Sequence, residues 1–470
     1  MNEPTYAKGA CRHCGGHIAF PAASTGRTVE CPHCRQPTEL VPLTPSPAPR
    51  PTVDEITAAF PEPMPRPRQS VGYHASLLLV AVTMVLLPLV YVAFVLALLG
   101  GAGWYAVHFR HLVTVFGDGP RWYLVKLLVY AGPLFIAAVL AVFLVKPLFA
   151  RRPKPPAPLA LDPAAEPVLF AFVAGICRTV GAPMPAHIYL DCQLNASASL
   201  EGRDTVLTIG LPLVAGLDVR EFAGIMAHEF GHLTQGFGMR LSSVIRTVNE
   251  WFARVAYERD AWDLWLETWA EEVDDWRTML VTHGTRLAIW LSRGVLKVLM
   301  RLGQGVSCYL MRQMEYDADV YMFQVAGSAV FERTTRRLAT LGEASRQSYQ
   351  LMRTTWDSRR QLPDNFPALL TRLEARITPA QRGKIEERAG LSRTGLFDTH
   401  PAVGDRIRRA QQAACAGKFQ LELPATHLFT DFDVLAKEVS RRHYTDELGL
   451  PHEPAALLPA EALESAGPIG

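Results

Sequence analysis

The sequence predicts an α+β fold that is mostly helical, with a short β-sheet, set behind two membrane-spanning helices and a small cysteine-rich N-terminal module. Three observations carry that expectation. Two long uncharged runs occupy the first third of the chain, two CxxC pairs precede them, and His228-Glu229-Phe230-Gly231-His232 follows them on a helical pattern. At 470 residues, 49% apolar and a net charge of +2, the chain can bury a sizeable core and has no global bias toward nucleic acid.

The N-terminal module comes first. Cys11-Arg12-His13-Cys14 and Cys31-Pro32-His33-Cys34 are separated by sixteen residues, the spacing of a four-cysteine zinc ribbon, so residues 1–40 are expected to hold one structural Zn²⁺ on Cys11, Cys14, Cys31 and Cys34. Such thiolates need a reducing compartment. Only Arg12, Arg27 and Arg35 lie in or beside the module, and Phe20 is its lone interleaved aromatic, so it reads as a structural or protein-docking knob and no nucleic-acid partner is expected. The remaining cysteines, Cys177, Cys192, Cys308 and Cys415, are widely spaced and read as small buried hydrophobes. Pro37 to Arg68 contains ten prolines, and residues 41–73 are expected to form an extended tether.

Residues 74–148 read as a transmembrane hairpin. No charged residue occurs from Ala75 to Val107, and the 19 residues Leu127 to Val145 are uncharged between Lys126 and Lys146. At about 1.5 Å per residue both runs cross a hydrocarbon core of about 30 Å, which gives helices at about 76–104 and 123–146. Trp104, Tyr105, Trp122 and Tyr123 fall where an aromatic belt belongs. Arg66 and Arg68 before the first helix and Lys146, Arg151, Arg152 and Lys154 after the second outweigh Arg110, Arg121 and Lys126 around the loop. That bias places both termini and the following domain in the cytoplasm, as expected for an integral protein of a bacterial inner membrane.

The domain at 159–415 begins after a Pro153–Pro158 linker. Glu166 to Val180 has helical periodicity, His187 to Leu190, Leu194 to Ser199 and Thr205 to Ile209 read as short strands, and Asp218 is a suitable N-cap for a helix running to Gln235. On that helix His228 and His232 stand one turn apart on one face and can share a Zn²⁺, while Glu229 can take a proton from a water the metal activates. Phe222, Ile225, Met226, Phe230 and Leu233 give the helix an apolar side. A buried helix carrying two imidazoles and a carboxylate needs partners for each polar group, and a metal supplies them together.

A third ligand separates the zincin classes. The metzincin pattern would need Gly at 235 and His at 238, where this chain has Gln235 and Gly238. Downstream, Glu315-Tyr316-Asp317-Ala318-Asp319 offers Glu315 as third ligand, with Asp319 one turn on to accept the spare N–H of a ligand imidazole.

From about Pro163 to about Ala410 the chain resembles the zinc metallopeptidase family of HtpX-like membrane proteases and CAAX prenyl endopeptidases. Four motifs in family order carry the likeness: Asn195-Ala196-Ser197-Ala198, HEFGH at 228–232, the ExxAD of Glu315 to Asp319, and Thr399-His400-Pro401 with Arg406-Ile407. The resemblance implies that Glu315 is the third zinc ligand, that Asp319 supports a ligand histidine, and that Asn195, Ala196, Ser197 and Ala198 belong to an edge strand pairing with substrate backbone. Ser197 stands where the family has an aromatic residue. His400 and Arg406 would come near the zinc as donors to an oxyanion; alternatively His400-Pro401 caps a helix from Ala402 to Ala414 and Arg406 faces solvent.

Between the two zinc motifs lie 82 residues. In the Trp-rich segment 251–280, Trp262, Trp265, Trp269 and Trp276 share a helical face opposite many acids, which suits core packing, a lid or an interfacial membrane contact. Arg286, Arg293, Lys297 and Arg301 stripe an apolar helix at 286–311, too charged for a span and suited to the surface of an anionic leaflet. Residues 416–470 are expected to add one helix, Asp431 to Arg442, and a frayed tail from Glu453.

These readings converge on a membrane-anchored zinc endopeptidase with one catalytic and one structural Zn²⁺, protein or peptide substrates and a lipid partner. A role in membrane protein quality control rests on family analogy. The alternative is a catalytically silent membrane adaptor that binds proteins through the ribbon and a protease-like fold, which would have no physical need for Glu229.

Overall fold

Glycine and alanine at the crossing of two helices, more than any long sheet, organise the catalytic part of this chain. The computed structural model describes residues 6–40, 50–64, 71–115, 119–145, 158–236, 241–248, 276–395, 398–450 and 456–465, apart from isolated positions inside these spans. The chain divides into two compact units, Met1–Thr52 and Val53–Gly470.

In the first unit, β1 (Tyr6–Ala10) pairs antiparallel with β2 (His17–Pro21), and β3 (Thr28–Glu30) pairs antiparallel with β4 (Pro37–Glu39). Each turn carries one cysteine pair, so two hairpins present four thiols to a common point.

The second unit opens with α1 (Val53–Ala59), inside the stretch whose proline content predicts an extended tether. Part of that stretch is folded core: Ile56, Phe60 and Met64 are buried against α4 (Pro167–Val180). The Phe60 ring sits edge-on to Phe172 at 5.6 Å, and the Met64 N–H donates to the Thr179 carbonyl at 2.8 Å. Proline spacing misled because three apolar residues at helical intervals outweigh the prolines that flank them.

Among the described residues, two helices are long and apolar enough to cross a membrane. The first, α2 (Val71–His108), spans 38 residues, about 57 Å at 1.5 Å per residue, and so exceeds a hydrocarbon core of about 30 Å. The return run starts at Pro120–Lys126, passes a π-helical turn at Leu127–Ala131 and continues as α3 (Gly132–Val145). Tyrosines lock the pair: Tyr91 Oη donates to the Leu144 carbonyl, and Tyr130 Oη to that of Ala106 at 2.8 Å. Leu78, Leu79, Val85 and Leu89 point outward, as lipid-facing positions should.

The sheet has the order β5-β6-β8-β7, built from β5 (Leu159–Ala160), β6 (His187–Asp191), β7 (Ala196–Glu201) and β8 (Asp204–Gly210). β7 pairs antiparallel with β8 and lies at the sheet edge. A short helix, α5 (Leu211–Gly216), leads to α6 (Val219–Thr234), which carries HEFGH. Asp218 and Glu221 form a reciprocal capping box there, at 2.7 and 3.2 Å.

Next comes α7 (Trp276–Val325), a single helix of 50 residues. Its first half packs beside the hairpin: Leu296, Leu299 and Met300 share a cluster with Val80, Leu87 and Tyr91 of α2 and Leu144 of α3. The basic stripe is therefore part of a 50-residue helix built onto the hairpin. Trp262, Trp265 and Trp269 lie outside the described residues. The chain continues through α8 (Ser328–Arg359), β9 (Gln361–Pro363), α9 (Phe366–Arg376), α10 (Pro379–Leu391), α11 (Val403–Ala413) and α12 (Phe432–Arg442).

The C-terminal segment is also core. Phe419, Leu428, Phe429 and Val439 are buried in the same cluster as Phe60 and Phe172. The expected frayed tail is partly ordered: β10 (Ala456–Leu458) pairs parallel with β9, and Ala460 and Leu463 are buried. Among the lone cysteines, Cys177, Cys192 and Cys308 are buried and Cys415 is half-buried.

Candidate metal and catalytic site

The site exists because α6 and α7 come unusually close. A Cβ at Gly231 would meet the Tyr321 ring at 2.8 Å and the Ala318 backbone at 3.4 Å, and one at Gly224 would meet Ala326 at 2.9 Å. Thr234 Oγ1 and Tyr321 Oη stand 2.9 Å apart and tie the crossing together. Small residues at these contacts bring the HEFGH face against Glu315, Ala318 and Asp319.

His228, His232 and Glu315 each offer one atom to a common point, all within 4.8 Å of one another. The Nε2 atoms of the two histidines are 3.3 Å apart; His228 Nε2 is 3.4 Å from Glu315 Oε2, and His232 Nε2 is 3.7 Å from Glu315 Oε1. A tetrahedral ion with nitrogen and oxygen ligands at about 2.0–2.1 Å sets its ligands about 3.3 Å apart, so these residues fit Zn²⁺ in spacing and chemistry.

The surroundings fit as well. His228 Nδ1 faces Asp319 Oδ1 at 3.0 Å, which leaves Nε2 for a metal. Asp319 is buried and receives Arg406 through Nε at 2.9 Å and Nη2 at 2.5 Å. Burial alone would raise the Asp319 carboxyl, but Arg406 and His228 hold it below its ordinary range. Burial likewise opposes ionisation of Glu315, yet His228 and His400 hold it well down. His228 is disfavoured as a cation by burial, but the two carboxylates around it push it up. The pocket concentrates negative charge on a buried point and demands a cation there.

Glu229 lies beside this point in a cleft of about 970 Å³ and is raised by burial, with His228 pulling it back. The Ala198 backbone also works to lower it. In an antiparallel strand the N–H and C=O of one residue point the same way, so Ala198 turns both toward the cleft and away from β8. Asn195, Ala196, Ser197 and Ala198 all line that cleft.

His400 is exposed, lines the cleft, and places Nδ1 2.9 Å from Glu315 Oε1. Its loop is held by Arg312, which donates to the Asp398 carbonyl at 3.0 Å, and by Asp405, which accepts from Thr394. Arg406 does not face solvent: it is spent on Asp319, with the Phe331 ring 5.5 Å away. The helix after His400 is capped without a His400 side-chain bond.

Three contributors escaped sequence reading. Arg333 clamps the capping box through Glu221 and Asp218, both at 2.9 Å, and Arg312 anchors the His400 loop. Neither shows a sequence signal, because each acts across more than eighty residues. Gln235 is different: it follows His232 by three residues and so shares its helical face, a signal that was available.

In the N-terminal unit Cys11 and Cys34 Sγ are 3.6 Å apart and Cys14 and Cys31 Sγ 3.8 Å, close to the spacing of about 3.8 Å that Zn–S bonds of about 2.3 Å impose. The His13 and His33 N–H groups approach Cys11 and Cys31 Sγ at 3.4 Å, and the first lowers the Cys11 thiol.

The helix crossing and its donor set fit one class: a zinc metallopeptidase, with two histidines on one helix and a glutamate on another grouped so that they could hold a metal ion. Within that class the chain belongs to peptidase family M48, whose model matches residues 164–414, more than half of the sequence. Two proteins named Protease HtpX are similar to it. That of Chromohalobacter salexigens is 26% identical over 256 residues, 53% of this chain and 73% of the relative. That of Acinetobacter baylyi is 23% identical over 259 residues, with the same 53% and 73%. No solved structure gives a significant match. At the family level the chain is an HtpX-like membrane zinc protease carrying an added N-terminal cysteine cluster consistent with a zinc ribbon.

Proposed function

We propose that this protein is an active, membrane-anchored zinc endopeptidase that hydrolyses peptide bonds of proteins near the membrane. One observation carries the reading: three donor atoms at zinc-ligand spacing converge beside the half-buried Glu229 and the edge of β7. His228, His232 and Glu315 would hold the catalytic metal, and Cys11, Cys14, Cys31 and Cys34 a structural one. When bound, Zn²⁺ there polarises a peptide carbonyl and acidifies water.

The protein's own groups do the rest. The edge of β7 pairs with an extended substrate through the cleft-facing N–H and C=O of Ala198 and its neighbours two residues away. Glu229 accepts a proton from the attacking water and returns it to the leaving amine; burial raises its basicity toward that task. His400, within reach of Glu315 and open to the cleft, donates to the developing oxyanion. Arg406 acts through Asp319, and Asp319 through His228.

The membrane enters the substrate proposal through shared walls. Ile245, Met300 and Met314 line the cleft and also belong to the cluster that packs α7 on the hairpin. A cleft built onto the hairpin suits misfolded or membrane-proximal proteins, the quality-control role. Flanking lysines and arginines and the ribbon thiols support a cytoplasmic catalytic domain and termini. The test is cleavage of casein by detergent-purified, zinc-loaded wild type beside Glu229→Gln. Cleavage by the wild type with a loss of at least about 10² in the variant, metal content unchanged, is expected. Equal cleavage by both removes Glu229 from the mechanism.

A further inference from the structure

We propose that Glu447 is a positioning residue: with His443 and Tyr349 it forms a relay that holds the start of β7 against the α8 wall of the cleft. The proposal rests on the reading of this protein as a peptidase whose β7 pairs with substrate. An edge strand open to substrate has a neighbour on one side only, here β8, so its placement must come from its ends. β7 starts from a tight corner at residues 191–195. Asp191 Oδ1 accepts from the Gln193 N–H at 3.0 Å, the Asn195 carbonyl accepts from the Gly210 N–H at 2.9 Å, and Cys192 is buried in the core. A Cβ at Gly210 would lie 1.8 Å from the Gln193 carbonyl oxygen, so the corner folds directly over the end of β8.

The corner is gripped from the turn His443–Glu447, which follows α12 and lies beyond the residues matched to the family. Gln193 Nε2 donates to Glu447 Oε2 at 3.2 Å, and the same oxygen faces His443 Nδ1 at 2.8 Å. A carboxylate only accepts, so Nδ1 carries a proton, and Nε2 of the neutral ring is left to accept from Tyr349 Oη at 3.0 Å. Burial holds the Tyr349 phenol above its ordinary range, which keeps it a donor. His443 is buried, 3% exposed, so each of its nitrogens needs the partner it has. Tyr349 stands eleven residues, about three turns, beyond Leu338 and on the same face of α8. Leu338 and Leu194, the neighbour of Gln193, both line the cleft. The relay thus joins two parts of the cleft lining through side chains set back from it.

The test is turnover of two fluorogenic peptides by the full-length, zinc-loaded protein in detergent. One has about eight residues and runs the length of β7 at about 3.3 Å per residue; the other has about four and reaches little beyond the metal site. Tyr349→Phe and Glu447→Ala are expected to raise KM for the long peptide about 3- to 10-fold, the size of one net hydrogen bond, with kcat within about twofold and the short peptide unaffected. Glu447→Gln, whose amide oxygen can accept both bonds, is expected to stay near wild type. Amide exchange gives a readout that needs no turnover: the Gly210 N–H should exchange about 3- to 10-fold faster in Glu447→Ala, with the α6 amides unchanged. Equal losses on both peptides, or wild-type kinetics and exchange in Tyr349→Phe and Glu447→Ala, overturn the proposal. Unchanged kinetics in Ala198→Pro overturn the reading of β7 itself, which is a distinct result.

Discussion

Arg406 grips Asp319 with Nε on one carboxylate oxygen at 2.9 Å and Nη2 on the other at 2.5 Å. The same carboxylate faces His228 Nδ1, so a guanidinium on α11 reaches the first histidine of HEFGH on α6 through an acid on α7. A fork matched to both oxygens is something lysine cannot reproduce. Arg406→Lys is therefore expected to lower kcat/KM and zinc affinity together by about 10- to 100-fold. An effect on kcat with metal affinity untouched would instead put Arg406 at the reacting carbonyl.

The edge of β7 makes a backbone prediction. Ala198 turns its N–H toward Glu229 and the cleft, and Pro is tolerated in an edge strand where the missing N–H faces outward. Ala198→Pro is expected to keep both zinc ions and the ladder with β8, while lowering kcat/KM by about 10² or more as Glu229 and the substrate lose that donor. Unchanged kinetics would mean that substrate does not pair with this edge.

The zinc motifs, the HEFGH helix, the hairpin and the strands of the sheet were legible because each is written in local spacing: i and i+4 for the histidines, alternation for strands, uninterrupted apolarity for spans. Asp319 was legible for the same reason, being one turn from Glu315. What stayed hidden crosses long separations. The family motif singles out Arg406, but its partner Asp319 lies 87 positions away and no local spacing pairs the two. The docking of α1 was hidden differently: the prolines around it suggest a tether, while Phe60, its ring centroid 4.7 Å from that of Phe419, is what buries the segment.

That buried contact gives a stability prediction. A Cβ at Gly175 would lie 2.2 Å from the Phe60 ring, so α4 and the segment after α1 fit only without one. Gly175→Ala is expected to destabilise by about 1–3 kcal/mol through overpacking, and Phe60→Ala by about 3 kcal/mol through the cavity it leaves. In the double variant the alanine methyl enters space the ring vacated, so the two costs should fall short of their sum by about 1 kcal/mol. Thermal unfolding of the four proteins measures this, and strict additivity would show that Phe60 is not packed on Gly175.

The His400 loop makes the last prediction. Asp405 Oδ2 accepts from Thr394 N at 2.9 Å and from its hydroxyl, and Thr394 Oγ1 in turn accepts from Ala402 N at 2.9 Å, closing the loop that carries His400. The Thr394 bonds, with Arg408, hold the Asp405 carboxyl below its ordinary value of 3.8. A carboxylate depressed in the folded state binds fewer protons folded than unfolded near that pH. Its contribution is fully present above about pH 5 and is lost as pH falls through 3.8 toward the folded value. Asp405 is half-buried and partly screened, so the loop bonds are worth about 1 kcal/mol, near fivefold in an opening equilibrium. Amide exchange at Thr394 and Ala402 should quicken about fivefold in Asp405→Asn at neutral pH. Corrected for intrinsic rates, wild type should approach the variant as pH falls from about 5 to about 3, and the variant should show no such step. A step of equal size in both proteins would assign the loop's acid sensitivity to another group.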